Sequence, residues 1–324
     1  MMPSFSCTVE NTLTPEIRLD RYVAERLKIL SRSQIKARNL EARLNGRSVK
    51  ISHVLKGGEQ IDLSWLESES PFLIPQELPL DVIYEDERVI VVNKAQGMVV
   101  HPGAGNSQGT LANALLYRKL KSTGRLHDFT PDEQSSGSFA GLRPGIVHRL
   151  DKDTSGVIIA AWDDEALAFL SEQFKNRTVR KTYAALVQGC PREKEGRIEK
   201  RIVRSRRDRK TFTVSDTEGR KSLTYFKVIR SYGKYSLLLL RPKTGRTHQI
   251  RVHLKYLGNP VLGDPIYGLH DSVFPNATLM LHAKRLSLVL PSYVRATFRT
   301  PLPERFLEVI LTQQRTEGRR REKK

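Results

Sequence analysis

The chain has 324 residues, 39% of them hydrophobic and 28% charged, enough for one sizeable core plus a small accessory module. Its 55 Lys and Arg against 35 Asp and Glu give a net charge of +20, a field that draws polyanions or anionic surfaces. The pattern argues against membrane spans, secretion and metal sites: no apolar run nears the roughly 18 residues of a spanning helix, Met1-Met2-Pro3-Ser4 is no signal sequence, and neither H-E-x-x-H nor CxxC occurs. With only two cysteines, Cys7 and Cys190, the chain suits a reducing cytoplasm.

Residues 1–16 show no period and read as a poorly ordered lead-in. Leu19, Tyr22, Val23 and Leu27 fall at helical spacing. A second helix is expected behind Ser33 as N-cap, with Ile35, Leu40 and Leu44 on its core side. Asn45-Gly46 is a turn, and Ser48–Lys50 and Gln60–Leu63 are short strands around Gly57-Gly58. Between Arg18 and Lys50 stand ten basic residues and three acids, a local balance of +7. A solvated face would explain that charge, and so would a face that contacts phosphates.

Residues 66–80 hold prolines and acids and read as a linker. A second domain is expected over 81–312. Val89–Val92, four consecutive β-branched residues, predicts a strand buried on both faces. Gly109–Lys121 has a helical pattern, and 122–142, rich in Gly, Ser and Asp, reads as a mobile surface insertion. Val157–Ala161 is a strand and Asp164–Asn176 an amphipathic helix. Strands follow at Thr182–Gln188, Leu223–Ile229, Tyr235–Leu240 and Leu286–Leu290. Strands in succession with few helices predict an α+β fold on a mixed, mostly antiparallel sheet, preceded by the small N-terminal α/β module. A second basic cluster, Arg197–Lys210, holds eight Lys and Arg, and the charged end over 313–324 reads as a disordered basic tail.

The stretch richest in chemistry is His148-Arg149-Leu150-Asp151-Lys152-Asp153-Thr154-Ser155-Gly156, placed directly before a strand. Three readings compete. Asp and Ser side chains bond backbone amides in capped turns. Asp151, Asp153, Ser155 and Gly156 also fit the first positions of a calcium loop, but that loop needs a bidentate Glu where Trp162 stands, and a strand follows where a helix should. The third reading is an ionised carboxylate acting at a sugar carbon.

His148–Gly156 resembles the signature of the RluA/RluD family of RNA pseudouridine synthases. Val92–Gly103 resembles that family's early strand–loop motif, with Ala95 where a proline is usual. Thr244–His253 with Gly263-Asp264, and Leu281-His282-Ala283, resemble its later motifs in the same order. Residues 17–65 resemble the small RNA-binding module named after the fourth protein of the small ribosomal subunit. The resemblance implies isomerisation of uridine in structured RNA, without cofactor or metal, by an Asp that corresponds to Asp151. It implies that Arg251 pairs with that Asp, that Tyr183 stacks on the target base, and that Arg149 helps displace the base. Asp153 is expected to hold the loop. The accessory module favours large-subunit ribosomal RNA over transfer RNA, and a monomer in the cytoplasm is expected. A non-catalytic RNA-binding or ribosome-assembly protein on the same fold, and a DNA base glycosylase, are the rivals.

Overall fold

The computed structural model describes residues 3–10, 16–30, 35, 38–66, 73–103, 105–129, 144–208 and 211–321. The chain divides into two compact units, Met1–Phe72 and Leu73–Lys324.

In the first unit, β1 (Ser4–Thr8), β3 (Glu41–Leu44), β4 (Arg47–Val49) and β6 (Gln60–Ser64) form a four-stranded antiparallel sheet in the order β1-β6-β3-β4. β2 (Ile17–Arg18) pairs with β5 (Val54–Leu55). A helical turn α1 (Leu19–Arg21) continues into wider turns over Tyr22–Arg26 and buries Leu19, Tyr22 and Val23, the face their spacing predicts. Asn45 and Gly46 both have positive φ, which closes the tight β3–β4 hairpin.

Two expectations for this unit are corrected. The lead-in contains β1, which pairs with β6 from Ser4↔Ser64 to Thr8↔Gln60. Its residues carry no strong pattern because partly buried and exposed positions alternate, and its partner lies more than fifty residues on. The second helix does not reach Leu44: Glu41–Leu44 is a strand whose Ala42 and Leu44 point inward with period two. Most of its expected first half, residues 31–34, 36 and 37, lies outside the described residues.

In the second unit, eleven strands among the described residues form one sheet. Its path is β13 (Phe212–Ser215), β12 (Glu195–Arg204), β14 (Arg220–Tyr232), β15 (Tyr235–Pro242), β11 (Arg180–Gln188), β16 (Leu281–Val289), β10 (Ser155–Ala161), β8 (Val89–Lys94) and β7 (Asp81–Glu85), with β17 (Arg295–Arg299) beside β16 and β9 (Gly145–Ile146) beside β10. Every pairing is antiparallel except β10 with β16. This is the expected α+β architecture. β10 and β8 are buried almost throughout, which is why both read as continuous apolar runs.

Helices flank the sheet. α2 (Leu111–Ser122) starts at Thr110, whose hydroxyl accepts from Asn113 N while the Asn113 side chain accepts from Thr110 N. α3 (Asp164–Lys175) is capped by Asp163. α4 is Gln249–Tyr256 and α5 is Glu304–Arg321. α5 corrects the expected disordered tail: Phe306, Val309, Ile310 and Gln313 form a buried stripe at helical spacing, and Arg and Glu continue a helix readily. Part of the expected linker is also corrected. The Asn113 side chain donates to Ile74 O, and Gln76 accepts from Gly109 N, so 73–80 is tied to the start of α2. In the expected insertion, Leu126 and Phe129 pack on Leu116 and Leu120, and 130–143 lies outside the described residues. No described helix is long and apolar enough to cross a membrane.

Candidate active site

The parallel contact between β10 and β16 fixes the position of the polar loop. Gly156, at φ +119°, stands opposite Ala283, and a Cβ there would lie 2.3 Å from Ala283 O. Only glycine lets the two backbones approach this closely. Ser155 Oγ pairs with His282 Nδ1 at 2.9 Å and accepts from Arg305 Nη2 at 2.7 Å, and His282 Nε2 meets Thr300 Oγ1 at 2.8 Å. Burial pushes the His282 imidazole down to about 4, so it stays neutral and serves as a hydrogen-bonding strut.

From below, the loop is held by Lys94 at the end of β8. This fully buried lysine donates to Ala95 O and Met98 O at 2.8 Å and to Lys152 O at 3.0 Å. Gly97 N adds a bond to the same Lys152 carbonyl. Three carbonyls satisfy the three donors of an ammonium, so one side chain joins the early motif to the residue after Asp151. Burial pushes Lys94 down to about 8, against the pull of the Asp153 and Asp151 charges. Asp153 is half-buried in this same loop.

Above the loop lies a cleft of about 430 Å3, within the range of small-molecule pockets. Asp151, Arg149, Tyr183 and Arg251, brought from the loop, β11 and α4, all line it. Among the described residues Asp151 is the single carboxylate of the lining, and its side chain is 23% exposed. Arg149 is exposed at the wall. Burial and the nearby Asp151 charge push the Tyr183 phenol well above its ordinary range, so it stays protonated.

Arg251 is buried on the inner face of its helix, its side chain 4% exposed. Its Nη1 lies 3.6 Å from Asp151 Oδ2. Its two-pronged grip falls elsewhere, with Nε and Nη2 each donating at 2.7 Å to the oxygens of fully buried Asp264. Asp264 also accepts from the backbone N–H groups of Ile266 and Tyr267. Burial raises the Asp264 pKa, but these donors outweigh it and leave the carboxylate ionised. Tyr267 lies under the guanidinium, 5.1 Å from its ring centre.

The loop before α4 is built as tightly. Gln249 Oε1 accepts from Thr244 Oγ1 and Arg246 N, and its amide donates to Leu223 O and Thr224 Oγ1. His248 caps the helix at φ +54°, a left-handed conformation uncommon outside glycine, and its Nδ1 meets the Tyr267 hydroxyl at 2.9 Å. The sequence reading placed Asp264 in a motif without a role and missed Lys94 and Tyr267. A lysine ending an apolar strand inside a motif was the available signal for Lys94.

A cleft with one carboxylate, a protonated tyrosine and a cationic wall can hold a nucleotide by its phosphates and present an anion to its sugar. The family model for RNA pseudouridylate synthase matches residues 88–256. The ribosomal large subunit pseudouridine synthase D of Borreliella burgdorferi is 42% identical over 299 residues, spanning 90% of this chain and 88% of that protein. An uncharacterized RNA pseudouridine synthase of Bacillus subtilis, YlyB, is 37% identical over 298 residues, with 90% and 93% covered. Among solved structures, human RNA pseudouridylate synthase domain containing 1 aligns at a TM-score of 0.54 and 29% identity, covering 73% of this chain and 86% of that one. With the four predicted site residues converging on one cleft inside the matched region and relatives that span nearly its full length, this chain belongs to the RNA pseudouridine synthases of the RluA/RluD type and isomerises uridine in RNA.

Proposed function

We propose that Asp151 is the essential carboxylate and that the RNA is large-subunit ribosomal RNA, modified in the cytoplasm by a monomer. The observation that carries the first part is that, among the described residues, Asp151 is the only carboxylate lining the cleft, and it sits beside Tyr183 and Arg251. Cleavage of the bond from ribose C1′ to uracil N1 builds positive charge at C1′, which an adjacent carboxylate stabilises or captures. The base then turns, C5 bonds to C1′, the C5 proton leaves, and N1, freed from the sugar, takes up a proton. Nothing is oxidised or reduced, and every atom but the exchanged proton is kept. Arg251 places a cation 3.6 Å from the Asp151 carboxylate, and Tyr183 forms the wall against which the displaced base rests. The target uridine leaves its stack to reach the loop, with phosphate contacts supplying the energy.

The naming of the Borreliella relative supports the ribosomal target. The N-terminal unit, with its +7 stretch, serves as an RNA-binding module. The test is tritium release from uracil C5 in transcribed ribosomal and transfer RNA. Wild type should release tritium from the ribosomal transcript with no nucleotide added. Asp151→Asn should release none while binding RNA as before, since removal of one negative charge does not weaken attraction to phosphate. Release by the variant would remove Asp151 from its role, and release from transfer RNA alone would overturn the ribosomal assignment.

A further inference from the structure

Cations line the cleft beyond what Asp151 can neutralise. Arg251 is taken up by Asp264 and Asp151. Lys181, Arg177 and Arg246 are not: among the described residues none of them makes an ion pair with a carboxylate, and all three line the same cleft as Asp151. Lys181 is half-buried, two residues before Tyr183 on β11. Its ammonium lies 5.9 Å from the Phe174 ring centre and 3.9 Å from where a Cβ on Gly245 would sit, next to Arg246 in the chain. Burial pushes its pKa down, and no acidic neighbour offsets this. A half-buried cation with no carboxylate beside it is favoured when a ligand brings the counter-charge.

Arg246 is half-buried and tethered through Nε to Lys221 O at 3.3 Å. Burial lowers its pKa first, and the charges of Arg220 and Arg177 lower it further, so these guanidiniums lie close enough to repel one another. Arg177 is held at the turn after α3 with φ +58°. That left-handed turn ends the helix and places a third cation at the rim of the cleft.

We propose that Lys181, Arg246 and Arg177 form a phosphate-binding subsite, which takes an RNA backbone phosphate flanking the uridine that reaches Asp151. The inference rests on the cleft being the uridine site. Lys181 supplies a point charge from the floor, and the two arginines supply forked donors from the rim. The subsite thereby positions the strand relative to the carboxylate, and the self-repulsion of the empty cluster is relieved on binding.

The test is a cycle between protein and RNA variants. The RNA is a fragment that the wild-type enzyme isomerises, with a neutral methylphosphonate replacing the phosphate on the 5′ or the 3′ side of the target uridine. At one of these positions the neutral linkage should weaken wild-type binding about ten-fold, the scale of one charge-assisted contact. The same linkage should change the affinity of Lys181→Met or Arg246→Met less than about two-fold, because the contact is already gone. Lys181→Arg should restore the ten-fold effect, and each Met variant should flatten the salt dependence of log K by about 0.7 per lost contact. Equal methylphosphonate effects in wild type and in both Met variants, at both positions, would overturn the subsite. Asp151→Asn keeps the coupling whatever its catalytic role, so failure of the subsite and failure of the Asp151 assignment give different results.

Discussion

At the scale of single residues, Arg251 carries two duties that pull in one direction. Its fork is spent on Asp264, and only the remaining nitrogen approaches Asp151. Asp264 therefore fixes the guanidinium so that Nη1 faces Asp151. Arg251→Met keeps the apolar stem and should lower the single-turnover rate by orders of magnitude, but it should also destabilise the protein. It leaves Asp264, fully buried, with backbone donors alone, and breaking such a pair costs about 3–5 kcal/mol. Asp264→Asn separates the two effects. It removes the buried negative charge, leaves the guanidinium free to turn, and should slow the reaction with a smaller loss of stability. Urea unfolding alongside single-turnover kinetics checks this. A rate within a few fold of wild type in Asp264→Asn would mean that Arg251 is placed by its helix and by Tyr267 alone.

At the scale of elements, the site depends on two strands that meet in parallel within an otherwise antiparallel sheet. Gly156 makes that meeting possible. Gly156→Ala would force β10 from β16, because a Cβ 2.3 Å from a carbonyl oxygen and 2.6 Å from a nitrogen has no side chain to push aside. At φ +119° the new residue is also strained by about 1–3 kcal/mol. The variant should unfold at clearly lower urea concentration and lose activity with Asp151 still in place; wild-type stability would mean that the strands can part at little cost. This glycine also illustrates what the chain discloses unaided. Asp151 and Arg251 could be singled out because each sits in a short local motif, and the strands over 89–92 and 157–161 were legible because burial on both faces leaves an unbroken apolar run. β1 was not, since its register comes from a partner more than fifty residues away. Nor was the division of Arg251 between two carboxylates, which only the approach of the Asp264 turn to α4 creates. The charged end misled for a different reason: charge density says nothing about helix formation when a stripe such as Phe306, Val309 and Ile310 anchors the first turns.

At the scale of the molecule, the +20 chain divides into two compact units. The cleft, its carboxylate and the elements that position it all lie within Leu73–Lys324. The unit Met1–Phe72 has its own core around Leu19, Val23, Leu55 and Ile61; its net charge is only +2, but its basic residues concentrate in the +7 stretch from Arg18 to Lys50. If that unit is an RNA-binding module, removing residues 1–72 should act on encounter and grip. The bound-state isomerisation rate at saturating RNA should stay within a few fold of the full chain, because no residue lining the cleft is lost. Affinity should fall, and the slope of log K against log salt should flatten by roughly 0.7 to 0.9 for every phosphate contact removed. Comparing the two proteins at several salt concentrations reads both quantities from one titration series. An unchanged slope with unchanged affinity would show that the N-terminal unit binds something other than the substrate. A lost bound-state rate with intact folding would show that it reaches into the chemistry. The two outcomes separate because counter-ion release scales with contacts made anywhere on the RNA, whereas the isomerisation step depends on the few groups around Asp151.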